Sequence, residues 1–191
     1  GDQASRVSIS ADGTTIAIGS IKNAGGGTAR GQVRVYTYTN STWTQKGSDF
    51  VGAADNENLG RWTALSSDGD TVAMSSVSNQ GYIKVYTYSN NAWSQKGSAI
   101  YGETTGDTFG VTLALSSDGN TVIGGAFYGG IGSGSSGSGY AKVFSYSNNT
   151  WTQKGQDLDG EASGDRAGTV AMTPDGNTVA IGAYGNDGNG G

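Results

Sequence analysis

A repeated unit of about 50 to 58 residues is the feature of this chain that most limits how it can fold. The segment Trp-Thr-Gln-Lys-Gly at Trp43 recurs, with Ser or Thr in its second place, at Trp93 and Trp151. Asp-Gly pairs recur in step with it, beginning at residues 12, 68, 118 and 175. Self-similarity at such a period indicates that each repeat is one supersecondary unit, which buries its apolar surface only by stacking against its neighbours.

Each unit contains four short runs of β-branched, aromatic and small residues, separated by turn residues. No apolar period of 3.6 residues interrupts them, so helices are not expected. A twisted four-stranded sheet cannot bury both of its faces alone, and packing between two copies of itself is the propeller solution. The sequence therefore predicts an all-β propeller of four-stranded antiparallel blades, three of them complete and the fourth present as a half blade. We place the repeats at residues 1–57, 58–108, 109–166 and 167–191, within one propeller domain or a fragment of a larger ring.

Composition excludes several classes of chemistry. Glycine accounts for 35 of the 191 residues, which suits tight turns and the crowded centre of a ring. Cysteine and histidine are both absent, which excludes disulfides, thiolate nucleophiles, Cys/His zinc sites and imidazole-based triads. From this we expect no catalytic residues, no metal and no cofactor.

Charge and hydropathy limit the partners in the same way. The net charge is -5 and the sequence has no Lys/Arg cluster, so nucleic acid is not an expected partner. The apolar runs are only a few residues long, whereas a membrane-spanning helix needs about 20, and we expect no membrane insertion in this segment.

One stretch of the third repeat carries a family resemblance. Gly-Asp-Thr-Phe-Gly at 106–110, followed by Leu-Ala-Leu-Ser-Ser-Asp-Gly at 113–119, resembles the FG-GAP repeat of integrin-type β-propellers, in the variant with a Trp-x-Gln segment. Only this repeat keeps the Phe109-Gly110 pair. The calcium loop of that family, Asp-x-Asp-x-Asp-Gly, is missing, and the nearest approach is Ser-Ser-Asp-Gly-Asp at 66–70. The resemblance implies a propeller without calcium.

The loops are expected to divide between two faces. Segments of variable length at 19–31, 75–81 and 128–139 fall on one face, together with acidic connectors at 103–107 and 161–165. The opposite face holds only tight, nearly identical turns. Because functional residues concentrate in variable loops on a rigid scaffold, we assign the variable face as the binding face, with a protein or glycan as its ligand.

Four residues near that face are the candidate ligand contacts. Trp62 lies outside the repeated tryptophan position and follows Arg61 at the start of an inner strand, where it would either stack on a sugar or pack inside a widened channel. Tyr101 and Tyr128 adjoin the variable loops. The tryptophans of the repeated segment are instead expected to pack between successive blades.

A set of acidic residues on the connectors has two interpretations. A ring of carboxylates would hold a cation or serve two-carboxylate glycoside chemistry. Alternatively, Gly-x-x-Gly-Asp is repeated turn chemistry in which the acid accepts backbone N–H groups. Because the acids recur with the blade, the second interpretation is favoured. The set comprises Glu57, Glu103, Asp107, Glu161 and Asp165.

Two N-glycosylation sequons, at Asn40 and Asn148, occupy the same turn before the repeated tryptophan. They would be modified if the protein passed through a eukaryotic secretory pathway. The Gly/Ser run at 131–139 is an insertion within one blade, since the same repeat resumes after it.

Together these features predict a secreted or cell-surface, non-enzymatic binding or adhesion propeller. The alternative is a structural subunit of an extracellular coat, sheath or filament, and the minor alternative is a carboxylate-based carbohydrate-active enzyme. The run at 178–182 would be an uncovered apolar edge. We therefore expect it to be covered by a longer polypeptide, by self-association or by a partner chain that completes the last blade.

Overall fold

A computed structural model describes residues 4–130 and 137–188. Most of the Gly/Ser run singled out above, residues 131–136, lies outside the described residues. The regular structure of the described part consists of 17 β-strands. None of these residues belongs to a helix long and apolar enough to span a membrane.

The strands form three five-stranded sheets and one two-stranded sheet, and all strand pairs are antiparallel. The first sheet contains β1 (Ala4–Ile9), β2 (Thr15–Ser20), β3 (Gln32–Thr39), β4 (Thr42–Gln45) and β5 (Phe50–Val51). The second contains β6 (Thr63–Leu65), β7 (Thr71–Ser76), β8 (Tyr82–Ser89), β9 (Ala92–Gln95) and β10 (Ile100–Tyr101). The third contains β11 (Thr112–Leu115), β12 (Thr121–Ala126), β13 (Tyr140–Ser147), β14 (Thr150–Gln153) and β15 (Leu158–Asp159). The fourth contains β16 (Ala167–Met172) and β17 (Val179–Ala183). The all-β propeller with three complete blades and a half blade is confirmed.

The outermost strand of each complete blade differs from the prediction, because it is broken in two. In the first blade β4 pairs with the end of β3, at Tyr36 and Gln45, and β5 pairs with its beginning, at Val33 and Phe50. Between them the chain bends at Gly47, whose φ of 74° is a conformation that favours glycine. The same bend recurs in the next two blades, so the Lys-Gly of the repeated segment marks a break in the strand.

The Asp-Gly pairs form the hairpins between the first two strands of each blade. In the second blade the Asp68 carboxylate accepts hydrogen bonds from the Ser66 hydroxyl (2.6 Å) and the Asp70 N–H (2.9 Å). Gly69 supplies the positive φ that this turn requires. In the first blade, hydrogen bonds from the Ser10 hydroxyl and from Thr14 lower the pKa of Asp12 to about 2.

The core lies in the seams between blades. β7 is buried along its whole length, because the second sheet has a neighbour on each face. Isolated parallel bridges, such as the one between Gly81 and Phe109, join each blade to the connector that leads into the next. The strands are therefore apolar or small on both faces, as in other sheets that are covered on both sides.

A second link between blades explains the repeated Trp-x-Gln-Lys-Gly segment. The Trp93 Nε1–H donates to the carbonyl oxygen of Lys46 in the preceding blade (2.7 Å), and Trp151 does the same to Lys96 (2.6 Å). The Lys46 ammonium donates forward to the carbonyl oxygen of Gly69, in the hairpin of the next blade (2.9 Å). We call this pair of hydrogen bonds the Trp–Lys contact. Packing between blades is thus confirmed for Trp93 and Trp151.

Trp43, at the corresponding place in the first blade, is 42% exposed. Its ring contacts Tyr38 of its own blade, at a centroid distance of 5.1 Å. Because none of the described residues forms a blade before this one, inter-blade packing of Trp43 stays a prediction.

Candidate functional site

An open cleft of about 450 Å³ lies between the first and second blades, and we call it the first-seam cleft. One wall is the connector at 53–57, which leads out of the first blade. The opposite wall is the short loop at 78–81 with Tyr82 and Lys84 of β8. Tyr101 of β10 completes the lining.

A carboxylate joined to a buried phenol lines this cleft. Glu57 accepts a hydrogen bond from the Tyr82 hydroxyl at one oxygen and from the Ala54 N–H (2.9 Å) at the other. Burial, and then the hydrogen bond to Glu57, raise the pKa of Tyr82 far above its ordinary value of 10.0. Tyr82 therefore remains a neutral hydrogen-bond donor throughout the pH range in which proteins function.

The remaining lining residues are polar or aromatic. Tyr101 is 53% exposed and meets the ring of Tyr82 edge-on at 6.0 Å. The Lys84 ammonium lies 4.5 Å from the centroid of the Tyr82 ring. Asp55 accepts hydrogen bonds from the Arg30 guanidinium (2.9 Å) and the Thr28 N–H (3.1 Å), which hold its pKa below the ordinary value.

The seam between the second and third blades contains the same pair but is sealed. Asp107 accepts hydrogen bonds from the Tyr140 hydroxyl (3.1 Å) and from the Thr104 N–H (2.8 Å). Tyr128 and Gly129, which follow β12 in the longer loop, lie over this pair, since the Tyr128 N–H donates to the Asp107 carbonyl and Gly129 adjoins the Tyr140 ring. Tyr140 is completely buried as a result. The first seam is open where the second is filled by protein.

Three of the five connector acids are explained by turn chemistry. Glu57, Asp107 and Asp165 each accept the N–H of the residue three places earlier, at 2.8 to 2.9 Å. Glu103 pairs with Lys142 at 2.8 Å, and Glu161 is exposed. Residues 4–130 and 137–188 contain no group of three or more acidic residues that could hold a metal ion. The interpretation as repeated turns is confirmed for Glu57, Asp107 and Asp165, but not for Glu103 and Glu161.

Of the four predicted ligand contacts, the structure brings only Tyr101 to the first-seam cleft. Trp62 packs on the core of the second and third blades, with the Arg6 guanidinium 4.1 Å from its ring centroid. Arg61 precedes Trp62, and the backbone N–H of Arg61 donates to the Ser75 carbonyl (3.0 Å). Tyr128 lies 5.9 Å from the guanidinium of Arg166. The ligand-binding roles of these four residues stay predictions.

Sequence reasoning missed Tyr82 and Lys84. Both lie in β8, in one of the short β-type runs that recur in each complete blade, so the sequence alone does not mark them as site residues. The predicted modification sites, Asn40 and Asn148, lie in exposed turns with φ of 50° and 49°. Their glycosylation also stays a prediction.

Comparisons with known proteins show which solved structures have a similar fold. No family model matches the chain, and no curated protein matches it. The structure is similar to that of a putative 6-phosphogluconolactonase from Bacteroides uniformis, with a TM-score of 0.63 and 14% identity over 94% of this chain and 47% of that one. It is also similar to a protein of the same description from Bacteroides fragilis, with a TM-score of 0.61, 17% identity and the same coverage. The chain spans about half the length of these structures, and at this identity the likeness shows the fold alone.

These findings correct the family prediction. The assignment to the FG-GAP repeat is wrong, because no such model matches and the similar structures carry a different description. The physical reason is that the quoted phrases encode hairpins, capped connectors and seam packing, which any propeller blade needs. These phrases therefore indicate the geometry of a blade, which is shared by propellers with unrelated functions.

The predictions that accompanied this family are wrong as well. A non-enzymatic adhesion or glycan-binding module, the alternative of a coat, sheath or filament subunit, and a secreted or cell-surface location are all contradicted by neighbours described as enzymes. The minor alternative, a carbohydrate-active enzyme with paired carboxylates, finds no such pair among Glu103, Asp107 and Asp165, because these acids hold turns and an ion pair. Glu57 differs from them, since it lines the open first-seam cleft.

Proposed function

We propose that this chain is part of a β-propeller hydrolase that opens a carbohydrate-derived lactone in the first-seam cleft. The observation that supports it is the Glu57–Tyr82 pair, which lines an open cleft in the first seam, whereas the equivalent pair in the second seam is sealed. The propeller likeness to proteins described as 6-phosphogluconolactonases supports the choice of reaction.

The cleft suits a ligand of that size and polarity. Small-molecule sites usually have volumes of about 300 to 1,000 Å³, and this one lies within that range. The exposed ring of Tyr101 offers an apolar face to the C–H groups of a sugar ring. Asn79 and Gln80 line the same cleft, and an amide side chain can donate to and accept from hydroxyl groups.

The reaction adds water across the acyl C–O bond of the lactone. A carboxylate oxygen has two lone pairs, so Glu57 can accept a proton from the attacking water while it keeps its hydrogen bonds to Tyr82 and Ala54. The water oxygen bonds to the carbonyl carbon, and the proton passes from Glu57 to the ring oxygen as the C–O bond breaks. Tyr82 holds the carboxylate in place, since its raised pKa keeps it protonated.

The test is the rate of acid release from glucono-δ-lactone and from 6-phosphogluconolactone, measured above spontaneous hydrolysis with the purified chain. Glu57→Gln should lower kcat/KM about 100-fold, the lower end of what general acid–base catalysis contributes. Tyr82→Phe should lower it about tenfold. The matched control is Tyr140→Phe, which removes the same hydrogen bond in the sealed seam and should leave the rate unchanged. Absence of any rate above the spontaneous one with both lactones, or an equal loss in the control, would overturn the proposal.

A further inference from the structure

The third residue of the long third strand is a cation in every complete blade. Arg34, Lys84 and Lys142 occupy this position, each opposite the fourth residue of the second strand. Lys142 is held by two carboxylates, Glu103 at 2.8 Å and Asp157 at 3.5 Å. Arg34 pairs with Asp49 at 3.2 Å.

Lys84 differs from the other two because the chain has alanine at the positions that would supply its carboxylate partners. Glu103 is the first residue after the glycine of the connector, and the matching residue before the second blade is Ala53. Asp157 precedes the short β15 by one residue, and the matching residue before β10 is Ala99. Within the described parts of the chain, no carboxylate lies within ion-pairing distance of the Lys84 ammonium.

The other charges of the first-seam cleft do not replace these partners. Asp55 is paired with Arg30, and Glu57 is bound by the Tyr82 hydroxyl and the Ala54 N–H. Lys84 itself is half-buried, with its ammonium over the ring of Tyr82. A lysine on a solvated convex face needs no counter-ion, but this one lines a concave site, where low-dielectric walls strengthen the attraction of an opposite charge.

We infer that Lys84 binds an anionic group of the ligand, a carboxylate or a phosphate, and that the first-seam cleft therefore selects acidic sugar derivatives over neutral ones. The inference rests on the proposed role of the cleft as a ligand site. The ligand anion takes the place that Glu103 and Asp157 occupy beside Lys142 in the second seam. A lysine suits this role because its compact ammonium binds carboxylate and phosphate alike.

The experiment compares the affinity of the chain for gluconate, glucose 6-phosphate and glucose by isothermal titration calorimetry. Both anions should bind at least about tenfold more tightly than glucose, as expected for a charge-assisted hydrogen bond. Lys84→Met should abolish that preference without changing the affinity for glucose. The double variant Ala53→Glu with Ala99→Asp installs the two carboxylates of the second seam beside Lys84, and should abolish it too. Lys154→Met, an equal charge change on an exposed residue of the third blade, is the control and should keep the preference.

Glucose bound as tightly as both anions, or an anion preference that survives Lys84→Met in a variant with unchanged circular dichroism, would overturn the inference. The preferred anion, gluconate or glucose 6-phosphate, tells which group Lys84 receives. If anions bind through Lys84 but neither lactone is hydrolysed, the hydrolase proposal fails and this inference stands. If the neutral and the phosphorylated lactone are hydrolysed with equal kcat/KM, this inference fails and the hydrolase proposal stands.

Discussion

Replacing Trp93 by alanine should destabilise the propeller by about 3 kcal/mol, whereas the same change at Trp43 should cost less than about 1 kcal/mol. The Trp93 ring packs against Phe50 of the preceding blade, at 5.6 Å, and against Tyr88 of its own, at 5.0 Å. Its Nε1–H also donates to the Lys46 carbonyl.

The magnitude follows from these contacts. Emptying a fully buried large aromatic site costs about 3 to 5 kcal/mol, and Trp93 is only half-buried, so the ring itself should contribute about 2 kcal/mol. The hydrogen bond adds about 1 kcal/mol, because the Lys46 carbonyl is left without that donor. Trp43 has its ring contact within its own blade and a large exposed fraction, so most of this loss does not arise there.

The assay is unfolding by urea, which gives the free energy, and by heat, which gives the melting temperature; both are followed by circular dichroism so that loss of a tryptophan does not remove the signal. For a chain of this size each kcal/mol shifts the melting temperature by roughly 2 to 4 °C. Trp93→Ala should therefore melt about 6 to 12 °C below the wild type. Trp93→Phe keeps most of the ring and should lose only about 1 kcal/mol. Equal losses at Trp43 and Trp93 would refute the reasoning, because the energy would then lie within each blade and not in the seam.

Two further predictions concern the scaffold. The melting temperature should fall as the pH drops from about 4 toward 2. The pKa values of Asp12 and Asp175 lie below the ordinary 3.8 in the folded chain. The stability that these two carboxylates contribute is therefore complete above pH 3.8 and is lost as the pH falls through their folded pKa values. A melting temperature that is constant over this range would contradict the prediction. Gly125→Ala should destabilise by about 1 to 3 kcal/mol, because a Cβ there would overlap the Gly168 carbonyl oxygen. Gly182→Ala, at the same position of the half blade, makes only ordinary contacts and should be neutral; equal melting of the two variants would argue against this packing.

The blade could be predicted from the sequence because its determinants are local. An Asp-Gly pair builds its own hairpin with the serine or threonine two residues earlier, so each copy of the pair marks the same turn. The broken outer strand could not be predicted in this way. The bend at Gly47 places that glycine against the ring of Trp93, a residue of the next blade. This contact joins residues that are far apart in the sequence, so a local sequence pattern does not predict it.

The candidate site was less accessible to sequence reasoning. Tyr101 could be predicted because it adjoins a connector, whereas Lys84 lies in the third strand of its blade, at a position where each complete blade has a cation. What distinguishes Lys84 is the pair of alanines at 53 and 99, where the next repeat has acids. The sequence does not show that these positions lie beside the lysine. The structure does, because it places Glu103 and Asp157 next to Lys142 in the following blade.

The Trp–Lys contact involves only the outer strand of one blade, the outer strand of the next and the hairpin of its first two strands. The described residues of the loops between the second and third strands, at 21–31, 77–81, 127–130 and 137–139, take no part in it, and the three loops differ widely in length. The shortest of them borders the open cleft, and Tyr128 and Gly129 of the longest lie over the neighbouring seam. The length of this one loop therefore accounts for the difference between the two seams: the short loop leaves the Glu57–Tyr82 pair beside an open cleft, whereas the longer loop covers the Asp107–Tyr140 pair.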